Sequence, residues 1–78
     1  MDEDRFQRLK HHAMYLTGRY GIGYRDGLRR LYLSTKYLWD DYSKMGHAVD
    51  MLNRGEFGRG YRDGFAGVDV ILPGDTTP

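Results

Sequence analysis

Apolar residues recur at helical spacing along most of the chain, interrupted by two glycine-rich blocks. Phe6, Leu9, Ala13 and Leu16 fall three and four residues apart, which predicts an amphipathic helix over 4–17. Asp2 or Asp4 supplies its N-cap, and Gly18 stands where a glycine ends a helix. Tyr24, Leu28, Leu31, Thr35, Leu38, Tyr42 and Met45 continue the same period without a proline, predicting a long second helix over 23–45 that Gly46 closes. A third helix over 48–54 turns Val49 and Leu52 inward and stops at Gly55. A short fourth follows over 58–67. Val68-Asp69-Val70-Ile71-Leu72 is β-branched and precedes Pro73-Gly74, so it reads as extended. A lone strand is not stable, so it lies against the helices or pairs with another chain. Residues 74–78 read as a disordered tail.

The glycine-rich blocks are two copies of one pattern. Gly18-Arg19-Tyr20-Gly21-Ile22-Gly23-Tyr24-Arg25-Asp26-Gly27-Leu28 returns as Gly55-Glu56-Phe57-Gly58-Arg59-Gly60-Tyr61-Arg62-Asp63-Gly64-Phe65. Met14 and Met51 extend the match upstream. On a helix, Tyr20, Gly23, Tyr24 and Gly27 share one face, as do Phe57, Gly60, Tyr61 and Gly64. Glycines four apart let two helix backbones approach closely. The expected fold is a single mainly α domain, 1–78. It is a small helical bundle with an internal pseudo-repeat, helix–glycine turn–helix twice, and a short extended C-terminal segment. The repeat units fall at about 4–45 and 47–67, and the two crossing helices are related by a pseudo-twofold axis. Arg25-Asp26 and Arg62-Asp63 read as cross-repeat hydrogen-bonding groups.

A chain of 78 residues buries only roughly 60% of its unfolded surface, so its core is thin and aromatic residues are recruited to it. It has no cysteine, hence no disulfide or thiolate metal site. The net charge of +1 selects neither nucleic acid nor membrane, although residues 1–30 are mildly basic and 55–78 mildly acidic. No apolar run approaches the ~20 residues of a membrane span, and the opening Met-Asp-Glu-Asp-Arg-Phe is unlike a signal peptide. The expectation is a cytoplasmic protein of a bacterial host.

The sequence carries few patterns that point to catalysis or to a bound cofactor. Gly21-Ile22-Gly23 with Gly27 has G-x-G-x-x-x-G spacing, lacks a preceding strand, and is not a dinucleotide loop. His11 and His12 diverge on a helix and His47 stands apart, so no metal is expected. No catalytic set and no cofactor site is expected. Arg19, Arg25, Arg29 and Arg30, interleaved with tyrosines, suit phosphate and base contacts. Nucleic-acid binding is therefore an alternative function.

The Gly-Tyr-Arg-Asp-Gly cores, with the aromatic and glycine just before them, resemble a motif of small proteins from phages and other mobile elements. That resemblance implies a short protein acting by binding, as do anti-CRISPR inhibitors. Some inhibitors of that kind imitate DNA with carboxylates, for which Asp2, Glu3, Asp4, Asp40 and Asp41 are the candidates here. The leading expectation is a non-enzymatic module that sterically blocks a host protein or protein complex. A self-associating assembly protein, pairing as a homodimer through 68–72, is a further alternative. The expected partner-binding residues are Tyr24, Arg25, Arg29, Arg30, Trp39, Asp40, Asp41 and Arg62.

Overall fold

The computed structural model describes residues 2–34 and 38–70. They form four helices: α1 (Glu3–Ala13), α2 (Gly18–Ser34), α3 (Asp41–Leu52) and α4 (Glu56–Phe65). There is no strand among the described residues. The protein is a small, mainly α-helical bundle.

Asp2 caps α1, accepting from the Arg5 N–H at 2.7 Å. Phe6, Leu9 and Ala13 turn inward. The helix stops at Ala13 rather than at residue 17, because Arg25 reaches its end. One guanidinium nitrogen of Arg25 donates to the carbonyls of Ala13 (2.7 Å) and Leu16 (3.0 Å), holding the chain in a turn. Gly18 opens α2 instead of closing α1. Its φ of +70° lies in the left-handed region, where a side chain is strained.

The long helix expected over 23–45 is two helices. α2 ends at Ser34, whose hydroxyl donates back to the Leu31 carbonyl at 2.8 Å. Asp40 starts α3 by accepting from the Ser43 N–H at 2.7 Å. The helix expected over 48–54 thus begins at Asp41, and the boundary between repeat units moves ahead of Asp40. The fourth helix runs from Glu56 to Phe65, two residues earlier than expected, and Gly67 turns the chain away with φ +70°. Residues 68–70 are neither helix nor strand, and Val70 packs on the core. The rest of the expected extended segment and the 74–78 tail lie outside the described residues.

The repeating unit is helix–turn–helix, α1–α2 and then α3–α4, and the units meet where α2 crosses α4. That crossing is made backbone on backbone. A methyl group at Gly23 would lie 1.9 Å from the Phe57 carbonyl oxygen, and one at Gly60 would lie 2.0 Å from that of Tyr20. At Gly27 it would meet the Tyr61 oxygen at 2.1 Å, and at Gly64 the Tyr24 oxygen at 2.1 Å. The contacts are reciprocal: each glycine touches the residue whose repeat equivalent is touched by its own counterpart. Reciprocity of this kind is the signature of a twofold relation, here within one chain. At such separations Cα–H groups face carbonyl oxygens, the weak bonds typical of closely crossed helices. Gly21 and Gly58 lie in the first turns of α2 and α4, each against the turn that leads into its helix (Leu16 and Asn53).

The core gathers Phe6, Leu9, Ala13, Tyr24 and Leu28, with Tyr20 and Tyr32 packed on it. Phe6 and Tyr32 stack with ring centroids 4.0 Å apart. In the second unit, Phe57, Tyr61 and Phe65 stack in a row along α4 at 6.2 and 6.4 Å, and Tyr61 is fully buried.

Candidate protein interface

Of the motif's polar residues expected to bond across the repeats, only Asp63 does so, while Arg25 and Arg62 bond within their own units. Arg62 repeats the role of Arg25, donating to the carbonyls of Met51 (2.9 Å), in the last turn of α3, and Asn53 (2.8 Å), just past it. Tyr20 donates across the crossing to Asp63 at 2.5 Å. The equivalent bond in the other direction is absent, because Phe57 stands where Tyr20 stands in the first copy and has no hydroxyl. Asp26 instead lies 3.7 Å from Arg29. Arg30 donates to the Ser43 carbonyl at 2.8 Å and stacks over Trp39. Four arginines, counting Arg5 on the Gly67 carbonyl, therefore point into backbone oxygens. Of the basic cluster around the first motif, Arg19 and Arg29 remain exposed.

Tyr24 is a core residue and not a contact residue: it is 1% exposed and its hydroxyl donates to the Val68 carbonyl. Burial pushes the Tyr24 and Tyr61 hydroxyls up to about 12. Tyr20 reaches the same value, through burial first and the Asp63 carboxylate second. Asp40 is the N-cap of α3, and the Ser43 N–H it accepts holds its carboxyl below the usual range. Asp41 follows in the exposed first turn. Trp39 is half-buried, packed on His47 and Phe65 at 4.9 and 6.2 Å.

The unexpected feature is α3, which buries none of its residues. Its inward positions are Ser43, Gly46, His47 and Asp50, all only partly covered. Its outward positions are Tyr42 (86% exposed), Met45 (67%), Val49 (63%) and Leu52 (78%). Val49 and Leu52, expected inward, thus face out. The helix is inside out. Its repeat equivalent shows that the architecture does not demand this. At the same slots, α1 turns Phe6, Leu9 and Ala13 inward where α3 has Ser43, Gly46 and Asp50. At the other four slots the first unit has Arg5, Arg8, His12 and, just past α1, Tyr15 where α3 has Tyr42, Met45, Val49 and Leu52; Arg5 turns its guanidinium back to the Gly67 carbonyl. The exchange was legible in the sequence, had the repeat alignment been carried upstream past Met14 and Met51 into the helices.

The inverted face needs polar filling beneath it. A methyl at Gly46, the repeat equivalent of Leu9, would sit 3.3 Å from the Arg30 guanidinium. His47 lies under Trp39 and Phe65, and its Nδ1 is 2.7 Å from the Tyr61 hydroxyl. Burial, and then the Arg30 charge, hold the imidazole below its ordinary value. The neutral ring with its proton on Nε2 accepts the Tyr61 hydroxyl at Nδ1, and the other tautomer donates to it. These contacts anchor α3 by its polar side and leave the apolar side free. Leu38, just ahead of the helix, is also fully exposed.

Elsewhere, an open groove of about 450 Å³ between α1 and α2 has Phe6, Leu28 and Tyr32 along it and Lys10 and Arg29 at its edge. Among the described residues no group of three or more His, Asp or Glu could hold a metal ion, and no helix is long and apolar enough to cross a membrane. No family model matches this chain, and neither a curated protein nor a solved structure matches it.

Proposed function

We propose that this protein is a non-enzymatic docking module whose working surface is the outward face of α3, Tyr42, Met45, Val49 and Leu52. The observation that carries the reading is the inversion of α3 relative to α1 in an otherwise reciprocal fold. Exposing four large apolar side chains in one row is unfavourable for a chain whose core is already thin. Contiguous apolar patches of this size mark interaction sites. The row has the three-and-four spacing with which a helix enters a partner's groove or seam. A steric inhibitor of a host complex, the role implied by the motif resemblance, would act through such a face. Trp39 and Arg30 support the face from below, while Asp40 and Asp41 lie at its N-terminal end. Nucleic-acid binding draws less support, since Arg25 and Arg30 are bonded to carbonyls.

The test is affinity capture from native-host cells with the wild-type chain, Val49→Glu and Arg8→Glu as baits. Arg8 occupies in α1 the slot that Met45 occupies in α3. A specific protein held by the wild type and by Arg8→Glu should be lost with Val49→Glu. A specific protein that Val49→Glu holds as well as the wild type does is not docked on α3, and such a result would remove α3 as its docking surface.

A further inference from the structure

We infer that the occupant of the α3 face is a second copy of this chain, docked antiparallel, α3 against α3. The inference rests on the reading above that this face is a docking surface, and it names the partner. Three observations point to self-association.

The row is self-complementary. Tyr42, Met45, Val49 and Leu52 are spaced three, four and three residues apart, so the pattern reads the same in both directions. A twofold axis at the level of His47 sets Tyr42 of one copy opposite Leu52 of the other, and Met45 opposite Val49. Each pair matches a longer side chain with a shorter one. An interface between identical copies requires a surface that complements itself about such an axis.

The ends are complementary in charge. Asp40 and Asp41 stand at the N-terminus of α3, and Arg54 lies just past its C-terminus. Antiparallel docking sets the acidic end of each helix beside the Arg54 end of the other, with the two helix dipoles opposed. Parallel docking would bring the carboxylates together and align the dipoles.

The area reaches the lower bound for a specific interface. Four large, mostly exposed side chains per copy supply roughly 1,000 Å² when both rows are covered, which fits a dimer that dissociates on dilution.

The test is sedimentation equilibrium of the full chain over a wide concentration range, with circular dichroism as the check on folding. The wild type should show the mass of a dimer, and Val49→Glu the mass of a monomer with unchanged helix content. The natural chain has no cysteine, so single-cysteine variants report orientation cleanly. Tyr42→Cys and Leu52→Cys chains, mixed and oxidised, should cross-link to each other and not to themselves. A monomer at every concentration overturns the inference. So does a dimer that Val49→Glu leaves intact, and so does cross-linking of Tyr42→Cys to itself. A monomeric wild type that still captures a protein lost with Val49→Glu would sink the second copy while leaving the docking surface standing.

Discussion

At the scale of single residues, the repeat is nearly symmetric and its one missing bond is informative. Tyr20 bonds Asp63 across the crossing, whereas Phe57 offers Asp26 nothing. A hydrogen bond to a charged group contributes about 1.5–3 kcal/mol when both partners are sheltered, and less when one is partly exposed, as here. Tyr20→Phe should therefore lower stability by about 1 kcal/mol. Phe57→Tyr should give Asp26 the equivalent partner and raise stability by about 0.5–1 kcal/mol. Urea unfolding of both variants decides the matter, and a Phe57→Tyr variant less stable than wild type would show that the two halves are not interchangeable at this position. The arginines teach a related lesson. In the sequence, Arg25 and Arg62 look like contact residues. In the fold each closes the turn after the preceding helix by taking two carbonyls. Only the placement of that turn beside the guanidinium distinguishes the two roles, and a one-dimensional pattern does not contain it.

At the scale of elements, the α2–α4 crossing and the α3 surface place opposite demands on glycine. A methyl group at Gly27 would stand 2.1 Å from a backbone oxygen, a clash that no rotamer change relieves. Gly27→Ala gains helix propensity of about 1 kcal/mol but forces the helices apart, so a net loss of about 3 kcal/mol is expected. Gly46 meets only the end of the flexible Arg30 side chain. Gly46→Ala should be neutral or up to about 1 kcal/mol stabilising. Thermal melts of the two variants should move in different directions, and equal melts would argue against backbone contact at the crossing. The glycine spacing made this crossing legible in the sequence. The break between α2 and α3 was less so, because Leu38, Tyr42 and Met45 keep the helical period across it. The N-cap at Asp40 was the available signal, and it competes with a periodicity that does not register interruptions.

For the whole molecule, the buried ring systems make stability depend on pH at both ends. His47 is held neutral in the fold, with its pKa lowered from 6.5. Its contribution is complete above that value. It declines as pH falls through it, because the unfolded chain takes up the proton first. Asp40, also lowered, contributes above 3.8 and loses its share only under more acidic conditions. The melting temperature should thus fall between about pH 7 and pH 5, and His47→Gln should flatten that limb. On the alkaline side, Tyr20, Tyr24 and Tyr61 stand at about 12 against an ordinary 10.0. The neutral hydroxyl is favoured in the fold, so stability is complete below 10.0 and declines from there towards 12 as the unfolded chain ionises. Tyrosinate absorbance from these three should appear together with loss of helical dichroism. A smooth titration of all tyrosines with the helices intact would contradict their burial.

The sequence by itself determined the elements of local chemistry: the duplicated glycine block, the aspartate cap of the first helix, the helical periods and the backbone approach that four glycines permit. These depend on neighbours within a turn or two, or on steric demands that a single residue type satisfies. Which way α3 faces was decided only by the tertiary structure. Helical periodicity reports that an apolar row exists, and it is silent on what the row meets. The glycine crossing fixes the second unit as the twofold mate of the first, so α3 must take the place that α1 takes. In that place positions 43, 46 and 50 point inward whatever their polarity. Ser43, Gly46 and Asp50 are therefore turned to the bundle, and Tyr42, Met45, Val49 and Leu52 to whatever lies outside it.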